Sequence, residues 1–196
     1  MTRLPLLAVL FVALVLGAGA LLRPDLPDGF LAFRVEGMRA YVSGSTDDRA
    51  SGAIDRLLDA EPQVRTLVLT RMPGTRDVVA NTRLARRVRA HGLDTRLESD
   101  SVIASGAVDL FIAGVERTAA CGARIGVHAW GRLGTDAQDR RFDEMRGFQR
   151  DFLDDMGIDP DFYDFTRAAA RNDDIYWMDA NEAWRRGLLT RDPDCA

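Results

Sequence analysis

Ser105 and His128 are the two residues whose types and positions best suit catalysis. Ser105 lies in a turn of small residues, Ala104-Ser105-Gly106, that precedes an apolar run typical of a helix, and His128 ends a short apolar run. A serine at a helix start lies beside backbone N–H groups that have no partner within the helix. Such a turn supplies a nucleophile and an oxyanion site, and a histidine supplies a general base, which together perform acyl transfer.

Each member of this pair also has a structural interpretation. Most serines at helix starts serve as N-caps, and a histidine at the end of a strand is often a hydrogen-bonded part of the core. The other histidine, His91, precedes Gly92 at the end of a predicted helix, where it fits a C-terminal cap. His128 is therefore the candidate base, and catalysis by Ser105 and His128 is a hypothesis.

The charged residues exclude several catalytic groups and partners. All 26 basic residues are arginines, so a P-loop lysine, a Schiff-base lysine and a Ser-Lys dyad are excluded, because each needs an amine that can lose its proton. With 30 acidic residues, a net charge of −4 and no basic block, the chain is not expected to bind nucleic acid. The spacing of histidines and cysteines fits no metal site, and neither a metal nor a cofactor is predicted.

The elements that must position the candidate pair alternate along the chain. Apolar runs predict strands within 30–43 and at 64–70, 94–97, 116–119, 123–127 and 175–178, and amphipathic patterns predict helices at 50–58, 78–90, 136–156, 158–171 and 180–186. Residues 101–114 are predicted to form a turn and then a helix. This alternation predicts an α/β domain with a mainly parallel sheet, whose strand ends form the ligand-binding edge.

The N-terminal segment, residues 1–22, is predicted to lie outside this domain. Residues 4–22 are uncharged and almost wholly apolar, and Arg3 precedes them. The run is longer than most signal-peptide cores and close to the length of a spanning helix, so a cleaved signal and a membrane anchor both stay open. In either case the domain is expected to be exported to the periplasm, free or tethered to the inner membrane on its outer side.

Cys121 and Cys195 are the two cysteines of the chain. In an oxidising compartment they can form a disulfide that joins the C-terminus to the domain, and otherwise both are free thiols. The sequence leaves both interpretations open, because it does not show the separation of the two side chains.

Three motifs resemble the core of the Clp protease proteolytic subunit and its relatives in the ClpP/crotonase superfamily. The run SVIASGAVDLFIAGVERTAACGARIGVH at 101–128 is similar to a family segment in which a serine turn opens a helix and a strand then ends in a histidine. LVLTRMPGTRDVVANTRLARRVRAHGLDT at 67–95 looks like the family's strand, Ser-Pro-Gly-Gly turn and helix. IYWMDANEAWRRGLLT at 175–190 is similar to its closing segment. The chain resembles exported ClpP-like proteins of bacteria.

The resemblance implies a fold, a site and an assembly. The fold would be a ClpP/crotonase-like ββα superhelix over residues 30–190, with Ser105 as nucleophile and His128 as base. The backbone N–H groups of Thr75 and Gly106 would hold the oxyanion, although Thr75 stands where the family has a second glycine. The family also implies a homo-oligomer.

The acid that completes the family's triad has no clean match. Strict register places an alanine or an arginine at its position, so Asp173 or Asp174 would have to reach His128 after a shift of a few residues.

The prediction is an exported serine hydrolase, a peptidase acting on a peptide or a small ester. The alternative is a catalytically silent ClpP-like fold that binds a peptide or a partner. A crotonase-type acyl-CoA enzyme is disfavoured, because an acidic chain without lysine offers little to hold a CoA phosphate.

Overall fold

The computed structural model describes residues 30–129 and 136–195. The signal or anchor predicted at residues 1–22 lies outside the described residues. Within the described ranges, no helix is long and apolar enough to cross a membrane.

Nine strands and six α-helices make up the described chain. The strands are β1 (Ala32–Glu36), β2 (Arg39–Ser43), β3 (Thr66–Leu69), β4 (Arg71–Met72), β5 (Asp94–Leu97), β6 (Val102–Ala104), β7 (Arg117–Ala119), β8 (Arg124–Val127) and β9 (Tyr176–Met178). The helices are α1 (Ala53–Ala60), which follows a 3-10 helix at Asp48–Gly52, α2 (Val78–Ala90), α3 (Gly106–Ile112), α4 (Asp136–Asp155), α5 (Asp161–Ala169) and α6 (Ala180–Arg185).

The strands form two sheets that share a repeated ββα unit. One sheet has the order β1-β2-β3-β5-β7 and the other the order β4-β6-β8-β9. Pairing is parallel except between β1 and β2 and between β8 and β9. In each unit the first strand joins one sheet, the second joins the other and a helix follows, as in β3-β4-α2 and β5-β6-α3.

The predicted α/β class and mainly parallel pairing are confirmed, but the strands occupy two sheets. The sequence predicts neither β4 nor β6, and β6 falls within the turn and helix predicted at 101–114. Strands of two or three residues are too short to show a period of two, so their pairing partners and not their own residues define them.

The core lies between the sheets and the helices that cover them. Leu67, Val68 and Leu69 of β3 are fully buried, as expected for a parallel strand that is covered on both faces. Six of the seven residues of α3 are buried, and Asp109 is the partly exposed one. Burial of α3 fixes the position of the Ser105 turn that precedes it.

A disulfide joins Cys121 to Cys195, with 5.0 Å between their Cα atoms. The backbone beside it pairs as well, since Cys121 N–H donates to Asp194 O at 3.0 Å and Asp194 N–H donates to Ala119 O at 3.0 Å. Of the two interpretations of the cysteines, the structure has the disulfide, and it holds the C-terminal segment against the end of β7.

Removing this disulfide should destabilise the domain. The bridge closes a loop with a sequence separation of 74 residues, and cross-links of this kind contribute about 2–4 kcal/mol, mainly by restricting the unfolded chain. Urea unfolding of the double variant Cys121→Ser/Cys195→Ser should show this loss. Dithiothreitol should destabilise the natural protein similarly and leave the double variant unchanged. Equal stability of the oxidised protein and the double variant would contradict the prediction.

Candidate active site

Ser105 has a strained backbone at the junction of β6 and α3. Its φ is +55° and its ψ is −130°, and it is the one non-glycine residue with a positive φ among residues 30–129 and 136–195. A non-glycine residue in such a region costs about 1–3 kcal/mol, and strain of this kind concentrates at functional sites. The Ser105 side chain makes no capping hydrogen bond to α3. The N-cap interpretation therefore does not account for this serine.

Two backbone contacts hold the Ser105 turn in place. Ser105 N–H donates to Gly126 O of β8 at 2.9 Å, and Val108 N–H donates to Ser105 O at 2.9 Å. Gly74 packs directly on the serine: a Cβ added at Gly74 would lie 2.8 Å from Ser105 Cβ, and Gly74 has a φ of +131°. Only glycine fits there. The turn after β4 thus supports the turn after β6.

The two predicted oxyanion donors lie side by side. A Cβ added at Gly106 would lie 2.5 Å from Thr75 Cγ2, so these residues are in direct contact. Within the described chain, neither the Thr75 N–H nor the Gly106 N–H makes a hydrogen bond. The Thr75 hydroxyl accepts from Asp77 N–H at 3.0 Å, which stabilises the turn. Both N–H groups are thus available to an oxyanion, and the threonine in place of glycine is accommodated.

A buried network connects these two residues. Thr46 pairs with the backbone on both sides of Thr75, and its hydroxyl donates to Asn81 Oδ1 at 2.8 Å. Asn81 Nδ2 donates in turn to Gly106 O at 2.8 Å. Thr46 and Asn81 are almost completely buried. The network therefore fixes the relative positions of the Thr75 turn and the start of α3.

His128 lies at the same edge of the sheet as Ser105. β6 and β8 pair in parallel with Ile103 opposite Ile125, so both strands end at the edge where Ser105 and His128 follow them. Both residues line one pocket. This is the edge that the sequence predicts, and it brings the candidate nucleophile and base to a common cavity.

The imidazole of His128 is held by a backbone carbonyl. His128 Nδ1 lies 2.7 Å from Ala129 O, and because a carbonyl only accepts, Nδ1 carries the hydrogen. In the neutral imidazole, Nε2 is then the nitrogen without a hydrogen, which is the tautomer of a general base. Among the described residues, no hydrogen bond joins the Ser105 hydroxyl to this ring.

The two candidate acids, Asp173 and Asp174, have other partners than His128 in the described structure. Asp173 is exposed and pairs with Arg171 at 3.3 Å, and Asp174 accepts from Ile175 N–H at 2.8 Å. Neither makes a hydrogen bond to His128 within the described part of the chain. Ala129 N–H, next to the histidine, donates to Ala170 O at 2.8 Å. An orienting role for Asp173 or Asp174 remains a prediction without a contact to support it.

Asp109 is a site residue that sequence reasoning missed. It lines the same pocket as Ser105 and His128, one helical turn after the start of α3. Burial raises the pKa of the Asp109 carboxyl to about 7, and the hydrogen bond from Asn81 opposes the shift. The available signal was that Asp109 is the one charged residue between 101 and 115.

Helices α2, α4 and α5 complete the pocket, contributing Val78, Gln149, Leu153, Phe162, Tyr163 and Thr166. Its walls are mostly apolar. No group of histidine, cysteine or acidic residues in the described ranges has the arrangement of a metal site.

Similarity to known proteins is found at the level of structure. No protein-family model and no curated protein matches this sequence. Among solved structures, the chain is similar to a mutant of the 1510-N membrane-bound stomatin-specific protease, with a TM-score of 0.53 and 11% identity over 80% of each chain. At this identity the likeness concerns the fold alone. The chain shares the overall α/β fold of this protease, which agrees with the ClpP-like fold that its motifs predict.

The Asn81 network should be essential for the stability of the site. Asn81→Ala leaves buried groups of Thr46 and Gly106 without their partner, at an expected cost of about 2–3 kcal/mol in urea unfolding. The matched control is Thr82→Val, because Thr82 is also buried on α2 but its hydroxyl bonds only to Val78 O of the same helix. Equal losses in the two variants would show that the network has no special role.

Proposed function

We propose that this protein is a serine hydrolase, a peptidase in which Ser105 is the nucleophile and His128 the general base. The observation that carries the proposal is the strained, uncapped Ser105 at a strand–helix junction. This serine lines a pocket that His128 also lines. The ClpP-like fold supports the proposal, since the similar solved structure is by its description a protease.

The proposed reaction is acyl transfer in two steps. His128 Nε2 takes the Ser105 proton while Ser105 Oγ forms a bond to the substrate carbonyl carbon. The Thr75 and Gly106 N–H groups donate to the resulting oxyanion. When the intermediate collapses, the bond to the leaving amine or alcohol breaks and His128 gives that group the proton. Water then releases the acyl group from Ser105 by the same steps.

This mechanism needs the Ser105 hydroxyl to reach His128 when substrate binds. Catalytic hydrogen bonds of this kind often tighten only in the substrate complex. The carbonyl of Ala129 holds Nδ1 but stabilises the imidazolium less than a carboxylate does. We therefore expect slower turnover than that of a complete triad.

A silent ClpP-like module that binds a peptide or a partner is the second candidate. The observation that favours it is that neither Ser105 nor a carboxylate bonds to the His128 ring among the described residues. In that case the pocket would bind a peptide or a partner protein without cleaving it.

We also propose that the protein is exported and acts in the periplasm, free or tethered to the inner membrane, as a homo-oligomer. The apolar run at residues 4–22 and the Cys121–Cys195 disulfide support export, because disulfides persist in oxidising compartments. The similar solved protease is described as membrane-bound, which agrees with a tether.

A fluorophosphonate probe tests the nucleophile. Such a probe should label the natural protein, and Ser105→Ala should abolish labelling because it removes the attacking oxygen. Ser51→Ala is the control, since Ser51 lies outside the pocket and its hydroxyl only donates to Asp48 O. Folded natural protein that stays unlabelled would support the silent module instead.

The two histidines should differ in their effect on activity. His128→Ala should lower kcat for a peptide or ester substrate by at least about 100-fold, the usual contribution of a general base, while the circular dichroism spectrum stays unchanged. His91→Ala should retain activity, because His91 pairs with Asp55 outside the pocket. Loss of activity in His91→Ala alone would refute the assignment.

A further inference from the structure

Gln149 and Asp109 are polar side chains of the pocket that have no part in the proposed mechanism. Gln149 of α4 is only 7% exposed, and its amide makes no hydrogen bond to any residue of the described chain. Asp109 of α3 accepts one hydrogen bond, from Asn81 Nδ2 at 3.3 Å, and has no cationic partner among the described residues. Both side chains line the pocket, so a ligand that enters it can complete their hydrogen bonds.

The position of Asp109 relates these groups to the reacting serine. Asp109 lies on the first turn of α3, the helix that Ser105 precedes, and both residues line the same pocket. A substrate carbonyl at Ser105 would therefore place the side chain beside it in the pocket that Asp109 lines. Apolar residues line the space between, among them Val78 and Val108.

We propose that this pocket binds a substrate side chain that has an apolar stem and a cationic tip, arginine or lysine, on the residue whose carbonyl Ser105 attacks. The Asp109 carboxylate would pair with the tip, and the Gln149 amide oxygen would accept a second hydrogen bond from it. The stem would pack on the apolar walls. This inference rests on the proposed function, because it uses the same pocket and the same serine.

Ionisation of Asp109 makes the preference depend on pH. The carboxyl, with a pKa of about 7, is mostly neutral at pH 6 and mostly charged at pH 8. The other titratable groups that line the pocket are His128 after β8 and Tyr163 on α5. The lining residues that α2 and α4 contribute, Val78, Gln149 and Leu153, carry no charge. A pH effect on the steps that all substrates share cancels in the ratio of two substrates, so this ratio isolates the effect of Asp109.

The test compares peptide aminomethylcoumarins that differ only in the residue before the scissile bond: arginine, lysine, leucine or glutamine. At pH 8 the natural protein should have a kcat/KM at least about tenfold higher for arginine than for leucine. This ratio should fall by up to about tenfold at pH 6, as the charged fraction of Asp109 falls. In Asp109→Asn the ratio should be close to one and should not change with pH.

Asp100→Asn is the matched control, because it removes the same charge at an exposed position outside the pocket. It should keep the preference for arginine and its pH dependence. A preference for leucine or glutamine in the natural protein would overturn the inference, and so would an unchanged ratio in a folded Asp109→Asn variant.

Binding to the Ser105→Ala variant separates this inference from the hydrolase proposal. Fluorescence anisotropy should show tighter binding of a peptide that ends in arginine than of one that ends in leucine. If this preference appears while the natural protein cleaves nothing, the pocket inference stands and the hydrolase proposal fails. If the natural protein cleaves the leucine peptide best, the hydrolase proposal stands and the pocket inference fails.

Discussion

The backbone of Ser105 is the constraint on which the site depends. A positive φ at a non-glycine residue is unfavourable by itself, so the surrounding structure must hold it. Pairing of β6 with β8 supplies the hydrogen bond from Ser105 N–H to Gly126 O, and the buried α3 fixes the chain that follows. Gly74 allows a second turn to pack on the serine. Burial of α3 offsets the strain because its apolar residues leave water on folding.

The ββα repeat explains why two turns from distant parts of the sequence meet. β4 and β6 are parallel neighbours in the smaller sheet, so the turns after them reach the same edge. Thr46 and Asn81 then link these turns through buried hydrogen bonds. A network of this kind must be complete, because an unpaired buried group is costly. The same network leaves the Asp109 carboxyl with a single weak partner.

The sequence predicts the chemistry of this site better than its electrostatics. Ser105 and His128 are found because the alternation of elements predicts parallel strands, which bring their carboxyl ends to one edge. The strand at Val102–Ala104 is missed because three residues show no period. The Ala129 carbonyl on His128 and the elevated pKa of Asp109 depend on burial and side-chain direction, which a linear pattern does not contain.

A carbonyl in place of the triad carboxylate changes which groups must stabilise the transition state. The Ala129 carbonyl fixes the tautomer of His128, but it offers a dipole and not a full charge to the imidazolium. The oxyanion donors and substrate binding must then contribute more of the stabilisation of the transition state. Binding energy from a group beside the reacting carbonyl contributes to rate when it is realised in the transition state. With the proposed cationic substrate, the Asp109 carboxyl in the pocket of Ser105 would supply such energy.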